Sequence, residues 1–406
     1  MRRVVVTGMG IVSPLGGSTQ EVTASLQEGR SGIVRADSYV EHGFRCHVHG
    51  APTVDPADVL DRRQLRFHGG GTAWNHIAMD QAIRDAGLEP SEISHERTGI
   101  VMGSGGASTR TIVEAADIAR TKGPRKIGPL AVPKAMSSTA SATLSTAFKI
   151  KGINYSISAA CATTNICIGN AAEQIAWGKQ DIVFAGGCEE LDWTLSVLFD
   201  AMGAMSSKYN DTPSVASRPF DKNRDGFVIA GGAGVLVLEE LEHAKARGAN
   251  IIAEIVGYGA TSDGDDMVAP SGEGGERAMK MAWDMSGGRQ IDYINPHATS
   301  TPIGDLREVE AIRRVFGKDI PPISGTKSLS GHAQGAAGVH EAIYSLLMMR
   351  GGFIAASAHI EDLDPAFEGV PIVTERRDNV ELNTVLSNGF GFGGTNAVLV
   401  MSRYDG

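Results

Sequence analysis

Short apolar runs with a glycine close by recur along this chain, and they alternate with helical patterns. Val4–Val6, Ile100–Met102, Ile182–Ala185 and Val235–Leu238 are such runs. Continuous apolar runs of this length, bounded by glycine, are typical of strands buried on both faces. The helical patterns between them cover residues 72–86, 137–148, 163–177, 275–285 and 338–349. This alternation predicts an α/β fold in which helices and sheets form layers.

One order of elements occurs twice. In residues 155–185 a strand leads to a polar elbow at Cys161, then to a helix, a glycine and a second strand. Residues 322–356 follow the same order, with His332 before the helix and a second strand predicted over 353–356. The repeat favours two related halves that meet at a shared site, and chance similarity between α/β units is the alternative.

Charge and cysteine content exclude several classes of protein. The chain has 37 Lys and Arg against 47 Asp and Glu, a formal net charge of −10, so it lacks the basic footprint of a nucleic-acid binder. It has no apolar run of about 18 residues, so we expect no membrane span. The four cysteines, Cys46, Cys161, Cys167 and Cys188, have no metal or redox spacing. We therefore expect a reduced, cytoplasmic protein.

Cys161 follows a predicted strand and begins a predicted helix. A thiol at a helix N-terminus experiences the positive end of the helix dipole, which lowers the thiol pKa and favours the thiolate. The neighbouring Ala159, Ala160 and Ala162 leave room for a substrate. Cys161 is therefore the candidate nucleophile, and an inert buried cysteine is the alternative.

Two histidines lie among small and hydroxyl residues. His297 follows the strand-like run Ile291–Ile294, and His332 precedes a predicted helix. α/β proteins place active groups at such strand ends and helix starts. A cysteine with distant histidines is the pattern of a nucleophilic enzyme, although each histidine taken alone is more often a core or capping residue. No spacing of the HExxH kind indicates a metal.

Residues 388–396 combine four glycines with Phe390 and Phe392. This glycine content predicts a backbone with positive φ that lies close to another group. A backbone N–H in such a loop could point at a developing oxyanion. A tight crossover between strands is the alternative.

Four stretches together resemble the β-ketoacyl-[acyl-carrier-protein] synthase family, and their order and spacing fit it along the whole chain. They are Ser158–Thr163, Pro296–Thr301, Lys327–His332 and Gly389–Asn396. Two further stretches, 178–181 and 207–213, resemble the type I elongating enzymes more than the type II enzymes.

The resemblance implies a thiolase-like layered α/β fold with two pseudo-symmetric halves, usually in a homodimer. Residues 1–250 would form the half that carries Cys161, and residues 251–406 the half that carries both histidines. The implied reaction is a decarboxylative Claisen condensation in fatty acid chain elongation. Cys161 takes an acyl chain from acyl carrier protein as a thioester. Malonyl-acyl carrier protein then loses CO2, and its enolate attacks the acyl-enzyme to give 3-ketoacyl-acyl carrier protein.

The resemblance also implies roles for single residues. The backbone N–H groups of Cys161 and Phe392 would form the oxyanion hole, and Phe392 would gate the acyl pocket. His297 and His332 would donate to the malonyl thioester oxygen as it becomes an enolate. Lys327 would hold the local charge and orient His332. The implied supporting and substrate-binding residues are Glu308, Glu341, Thr299, Thr301 and Phe227.

The resemblance implies neither a metal nor a cofactor, because loss of CO2 drives formation of the carbon–carbon bond. The implied partner is acyl carrier protein, which is acidic and so needs local positive charge on this acidic chain. Two basic clusters are candidates for docking it: Arg62, Arg63 and Arg66, and Arg120, Lys122, Arg125 and Lys126. A solvated charged face is the alternative.

The chain departs from the family pattern near the expected site. Ala160, Pro296 and Gly389 stand where Ser is more usual. Ile166 and Gln334 replace the more usual His and Leu, at positions where they can affect the preferred chain length.

Two other functions are open. One is a coenzyme-A-dependent thiolase-like condensing enzyme, which uses a second cysteine near the C-terminal glycine loop, whereas no cysteine follows Cys188 here. The other is a non-catalytic ketosynthase partner subunit, which commonly lacks the nucleophile, whereas Cys161 is present.

Overall fold

The computed structural model describes residues 1–406. The strands are β1 Val4–Val12, β2 Ile33–Arg35, β3 Val48–Gly50, β4 Thr98–Gly103, β5 Asn154–Ile157, β6 Ile182–Glu189, β7 Gly232–Glu240, β8 Ala253–Ser262, β9 Tyr293–Asn295, β10 Phe353–Ile354, β11 Arg377–Asp378, β12 Thr384–Gly391 and β13 Thr395–Ser402. The helices are α1 Thr19–Glu28, α2 Asp37–Glu41, α3 Pro56–Val59, α4 Arg62–Leu65, α5 Gly70–Ala86, α6 Pro90–Ile93, α7 Thr109–Lys122, α8 Ala131–Ala135, α9 Thr139–Phe148, α10 Thr163–Ala176, α11 Trp193–Ala201, α12 Leu241–Ala246, α13 Glu273–Met285, α14 Pro302–Phe316, α15 Lys327–Ser330 and α16 Ala337–Gly351.

The main sheet contains the same strand order twice. Its nine strands run β5-β4-β6-β7-β1-β8-β13-β12-β9, and Ile323 adds a parallel bridge beside β9. One unit contains β1 and β4 to β7, and the other contains β8, β9, the bridge segment at Ile323, β12 and β13. When the strands of each unit are numbered in chain order and read from the outer edge to the centre of the sheet, both units give the order third, second, fourth, fifth, first. Only two residue pairs, Val5–Glu254 and Val6–Ala253, join β1 to β8. This repeat confirms the predicted pseudo-symmetry of the fold.

Alternate residues of the long strands belong to different cores. Leu236 of β7 and Leu399 of β13 join a central core of 37 buried residues around α10 and α16. Val235 belongs to an outer core with α5, and Val398 to an outer core with α13. Side chains alternate between the two faces of a strand, so the helices cover both faces of each unit. The result is the layered α/β architecture that the sequence predicts.

The central helix α16 is buried along almost its whole length. Every residue from Ala337 to Met349 is buried, including Glu341. A helix that is buried all round lies inside a protein rather than on its surface. Because α10 packs against α16, the loops that precede the two helices come together at one end of the central layer, and these loops carry Cys161 and His332.

The predicted strand over 353–356 is only partly correct. Residues Phe353–Ile354 form β10, which pairs with β11 in a separate two-stranded sheet instead of the main sheet. The strand that occupies the repeated position in the main sheet is β12. The interval between α16 and β12 is long, so the short apolar run after the glycine pair was a misleading match.

The other predicted helices, and most of the predicted strands, are present to within a few residues at their ends. β1 runs six residues beyond the predicted Val6, and the strand predicted at the start of the 322–356 repeat is reduced to isolated bridges at Ile323. No helix has both the length and the apolar character that a membrane span requires. The four cysteines are unpaired.

Candidate active site

Cys161 lies on the elbow between β5 and α10. The preceding residue, Ala160, has φ of 47°, a left-handed conformation that is uncommon outside glycine. The small Ala160 side chain limits the cost of that strain, and Cys161 is left half-buried beside the start of α10. Strained residues of this kind concentrate at functional sites.

His297 follows β9 on a second strained turn, because Ala298 has φ of 21°. The Glu308 carboxylate of α14 accepts the backbone N–H groups of His297 and Ala298, both at 2.7 Å. Asn388 Nδ2 donates to the same carboxylate at 2.9 Å. Glu308 therefore fixes the turn that carries the imidazole.

His332 follows α15 and is held by its backbone. Its N–H donates to Val228 O at 2.7 Å, and its carbonyl accepts from Ala230 N at 2.9 Å. The Phe227 ring packs edge-on against the imidazole, with centroids 5.6 Å apart. The side chain of His332 is thus positioned by the segment 227–230.

Cys161, His297 and His332 come together although they are far apart in the sequence. His332 Nε2 lies 3.1 Å from Cys161 Sγ, and the two imidazole rings are edge-on with centroids 5.1 Å apart. The ligand-type atoms of the three side chains all lie within 4.8 Å of one another. Sulfur and imidazole nitrogen also suit a zinc ion, so this trio is the group in the chain that could hold a metal.

Lys327 supplies a buried positive charge beside the trio. It is 2% exposed and forms an ion pair with Glu341 of α16, which is equally buried. Burial lowers the pKa of His297 and of His332 well below the usual value, and the Lys327 charge lowers both further. Both imidazoles are therefore neutral at ordinary pH.

The resting thiol differs from the prediction. Desolvation raises the pKa of Cys161 to about 12, against the Lys327 charge and the backbone N–H groups of Phe392 and Cys161 itself. The expectation of a lowered pKa from the helix dipole is therefore wrong, because burial has the larger effect. The same two N–H groups are the predicted oxyanion donors, and they lie at the sulfur.

A cavity of about 410 Å³ opens onto the trio. The predicted site residues that line it are Cys161, Phe227, His297, Thr299, Thr301, Glu308, His332 and Phe392. Phe392 is 37% exposed, so its ring is accessible at the cavity wall. Of the two residues expected to affect chain length, Gln334 lines this cavity and Ile166 does not.

The predicted docking residues lie outside the cavity. Arg62, Arg63 and Arg66 are exposed on and just after α4, and Arg125 and Lys126 are exposed in the short 3₁₀ turn 124–126. The Arg66 guanidinium lies over the Phe67 ring at 5.2 Å.

Glu189 is a site residue that sequence reasoning missed. Its buried carboxylate at the end of β6 accepts the N–H groups of Gly105 and Gly335, both at 2.8 Å, and of Gly106 at 3.2 Å. Burial raises the pKa of Glu189 to about 7. It ties the β4 loop to the segment after His332. A carboxylate at the end of a buried apolar strand was the signal that could have identified it.

Comparison with known proteins agrees with this site. Residues 1–244 match the family described as "Beta-ketoacyl synthase, N-terminal domain", and residues 252–361 match "Beta-ketoacyl synthase, C-terminal domain". The protein named 3-oxoacyl-[acyl-carrier-protein] synthase 1 from Haemophilus influenzae is 56% identical over 100% of both chains. That of Escherichia coli K12 is 58% identical over 99% of both chains.

Solved structures have the same fold. A β-ketoacyl synthase from Burkholderia phymatum STM815 has a TM-score of 0.94 and 36% identity over 100% of both chains. A type II polyketide ketosynthase in complex with its acyl-carrier protein has a TM-score of 0.90 and 30% identity over 100% of both chains. These matches confirm the thiolase-like architecture and the resemblance noted from the sequence. The chain belongs to the β-ketoacyl synthase family.

Proposed function

We propose that this chain is a β-ketoacyl-acyl-carrier-protein synthase of type I. It condenses malonyl-acyl carrier protein with an acyl-enzyme, releases CO2, and so elongates fatty acyl chains. The observation that carries the proposal is the placing of one thiol and two neutral imidazoles within 4.8 Å of one another on a single cavity. The family and the relatives named above supply the reaction class.

Cys161 is the proposed nucleophile. Its sulfur attacks the thioester of acyl-carrier protein, and the carrier thiol leaves with the proton that Cys161 gives up. The backbone N–H groups of Cys161 and Phe392 stabilise the oxyanion of the tetrahedral intermediate. One such donor contributes roughly 3 kcal/mol to transition-state stabilisation.

His297 and His332 are the proposed hydrogen-bond donors to the malonyl thioester oxygen. A neutral imidazole has one N–H group, so it can donate a hydrogen bond to this oxygen without carrying a positive charge. Their lowered pKa values keep them in this form. The Lys327 charge stabilises the enolate that forms when CO2 leaves. In this proposal Thr299 and Thr301 contact the phosphopantetheine arm, and Phe227 supports His332.

Acyl carrier protein is the proposed partner. The solved polyketide ketosynthase named above is in complex with such a protein. Arg62, Arg63, Arg66, Arg125 and Lys126 are exposed, and in this proposal they steer and dock the acidic carrier. The free cysteines suit the reducing cytoplasm, where the proposed nucleophile stays active.

A homodimer is part of the same proposal. The edge strand β5 has only β4 as a neighbour, and α7 buries none of its residues within one chain. Ile112 of α7 is 51% exposed. A second copy would pair with the free edge of β5 and cover this helix. Analytical ultracentrifugation at micromolar concentration should give a dimer, and a monomer would contradict the proposal.

The division into two halves is also proposed here, with 1–250 carrying Cys161 and 251–406 carrying both histidines. The repeated strand order supports it, since β1 and β4 to β7 form one unit of the main sheet and β8, β9, β12 and β13 the other. The site would then lie between the halves and depend on both.

The test is a reconstituted condensation. The protein is mixed with a medium-chain acyl-carrier protein and malonyl-carrier protein, and 3-ketoacyl-carrier protein and CO2 are measured by mass spectrometry. The proposal requires both products from the wild type and neither from Cys161→Ala. An acyl-coenzyme A condensation without carrier protein would favour the thiolase-like alternative, and the absence of any acyl-enzyme would favour the non-catalytic partner subunit.

A further inference from the structure

Gln334 is a buried polar residue whose amide nitrogen has no partner in the protein. It is 5% exposed, lines the catalytic cavity, and has φ of 50°, so its backbone adopts the left-handed conformation. Its Oε1 lies 3.8 Å from Cys161 Sγ, and its Nε2 has no hydrogen-bond partner. Buried polar groups normally have partners, and an exception at an active site calls for a ligand or a reacting group.

The backbone at Gln334 is held in place by a hydrogen bond of the next residue. The next residue, Gly335, donates its N–H to the buried Glu189 carboxylate at 2.8 Å, and that carboxylate also binds the loop at Gly105. The backbone therefore holds the carboxamide beside the sulfur. The amide itself is free to rotate, because Nε2 has no partner to restrain it.

The thiol of Cys161 has one hydrogen and two neighbouring acceptors, His332 Nε2 at 3.1 Å and Gln334 Oε1 at 3.8 Å. The proposed reaction needs a proton on His332 Nε2, because that atom donates to the malonyl thioester oxygen. A protonated Nε2 directs its N–H at the sulfur and cannot accept. The thiol hydrogen must then go to Gln334 Oε1.

We propose that Gln334 is a further catalytic residue, which accepts the hydrogen of the Cys161 thiol and, after a half-turn of its amide, donates Nε2–H to the thiolate. This inference rests on the proposed function for the steps in which the thiolate acts. The proposal gives a role to both Oε1 and Nε2 of the carboxamide. An apolar side chain of the same size could perform neither role.

Following the negative charge through the two reaction steps shows when a hydrogen-bond donor to the Cys161 sulfur is needed. In acylation the Cys161 sulfur forms a bond to the acyl carbon, the bond from that carbon to the carrier sulfur breaks, and the carrier thiol takes the proton. In condensation the malonyl carboxylate leaves as CO2, a carbon–carbon bond forms, and the acyl–Sγ bond breaks. One negative charge thus passes from the carboxylate to Cys161, and Gln334 stabilises it there until the sulfur takes up a proton.

The experiment compares two near-isosteric variants. Gln334→Met removes both hydrogen-bonding ends, and Gln334→Glu keeps acceptors but replaces the donor by a negative charge. The readout is the rate of Cys161 alkylation by iodoacetamide between about pH 7 and pH 9, measured by mass spectrometry. This readout depends on the thiolate and not on condensation.

We expect alkylation of Gln334→Met to be about tenfold slower than that of the wild type at each pH, as expected for loss of one hydrogen bond to a charged group. Gln334→Glu should be slower still. Wild-type rates in either variant would overturn the proposal, since a residue that only fills space would tolerate both.

Two controls keep the result interpretable. Ala333→Ser changes the adjacent residue without a group at the sulfur, and it should alkylate at the wild-type rate. If Gln334→Met does not fold, as judged by circular dichroism, Gln334→Leu takes its place with the same expected tenfold loss. An enzyme that alkylates in the expected order but makes no 3-ketoacyl product would contradict the proposed function and not the role of Gln334 toward the sulfur.

Discussion

At the residue scale, the nucleophile is subject to opposing effects. Burial disfavours the charged sulfur, whereas Lys327 and two backbone N–H groups favour it. Burial has the larger effect in the free enzyme, so the thiol is protonated at rest. In this account the Cys161 thiol loses its proton only as it reacts, after a thioester has bound in the cavity.

The first prediction concerns this thiol. With its pKa raised to about 12, the thiolate fraction of Cys161 should grow about tenfold for each pH unit. Iodoacetamide alkylation should therefore keep rising between about pH 6 and pH 9. A plateau that begins below about pH 7 would mean that the helix dipole, and not burial, controls the thiol. Cys161→Ser is the control, and its alkylation should stay at background.

The second prediction concerns the buried ion pair of Lys327 and Glu341. Removing one partner leaves an uncompensated buried charge, which typically costs about 3–5 kcal/mol. Lys327→Met should lower the free energy of unfolding in urea by about this amount. The double variant Lys327→Met/Glu341→Leu should recover much of the loss, because no charge is left unpaired. Equal destabilisation of both variants would contradict this account.

At the scale of elements, three strained turns bring the chemistry together. Ala160, Ala298 and Gln334 have positive φ, and each lies within two residues of Cys161, His297 or His332. Each turn follows the end of a strand or helix, and these ends belong to different parts of the two units. Because the ends of the central elements meet, residues far apart in the sequence share one cavity.

The third prediction concerns α10 and β12. A Cβ added at Gly389 would lie 2.4 Å from Asn165 Oδ1, a fully buried side chain. Gly389→Ser should therefore cost about 1–3 kcal/mol in stability through overpacking. Neither polar atom of Asn165 has a partner, so Asn165→Ala should restore the stability of Gly389→Ser. Thermal unfolding of the two single variants and the double variant tests this, and additive effects would exclude the contact.

Local pattern in the sequence predicted β1, β4, β6 and β7, five of the helices and the trio. It did not predict the long strands β8, β12 and β13 or the long helices α7 and α14. Apolar runs identify buried strands, and Cys161, His297 and His332 lie at predicted element ends. The thiol pKa was not predictable, since it depends on burial by residues from distant segments. The roles of Glu189 and Gln334 were missed for the same reason: their partners are backbone groups and a sulfur that only the tertiary fold brings near.

At the scale of the whole molecule, an acidic chain has exposed local positive charge. The net charge is −10, yet Arg62 and Arg63 project from α4 without a carboxylate partner, whereas Arg120 is paired with Asp117. Steering of an acidic partner depends on such local charge rather than on the total.

The fourth prediction concerns this surface. Arg62→Glu/Arg63→Glu should raise KM for acyl-carrier protein about tenfold or more at low salt and leave kcat nearly unchanged. The difference from the wild type should shrink as salt is added, because exposed charges are screened. The charge-matched control is Lys151→Glu/Lys318→Glu, which changes two exposed lysines outside both docking clusters. An equal KM change in that control would mean that net charge alone matters.

The central claim is that Cys161 carries the acyl group and His297 acts later, on the malonyl group. The most direct test is single-turnover mass spectrometry of His297→Ala with an acyl-carrier protein followed by malonyl-carrier protein. We predict that Cys161 becomes acylated as in the wild type, while release of CO2 and formation of the 3-ketoacyl product fall by at least about 100-fold. Condensation at the wild-type rate, or loss of acylation in a folded His297→Ala protein, would contradict the account.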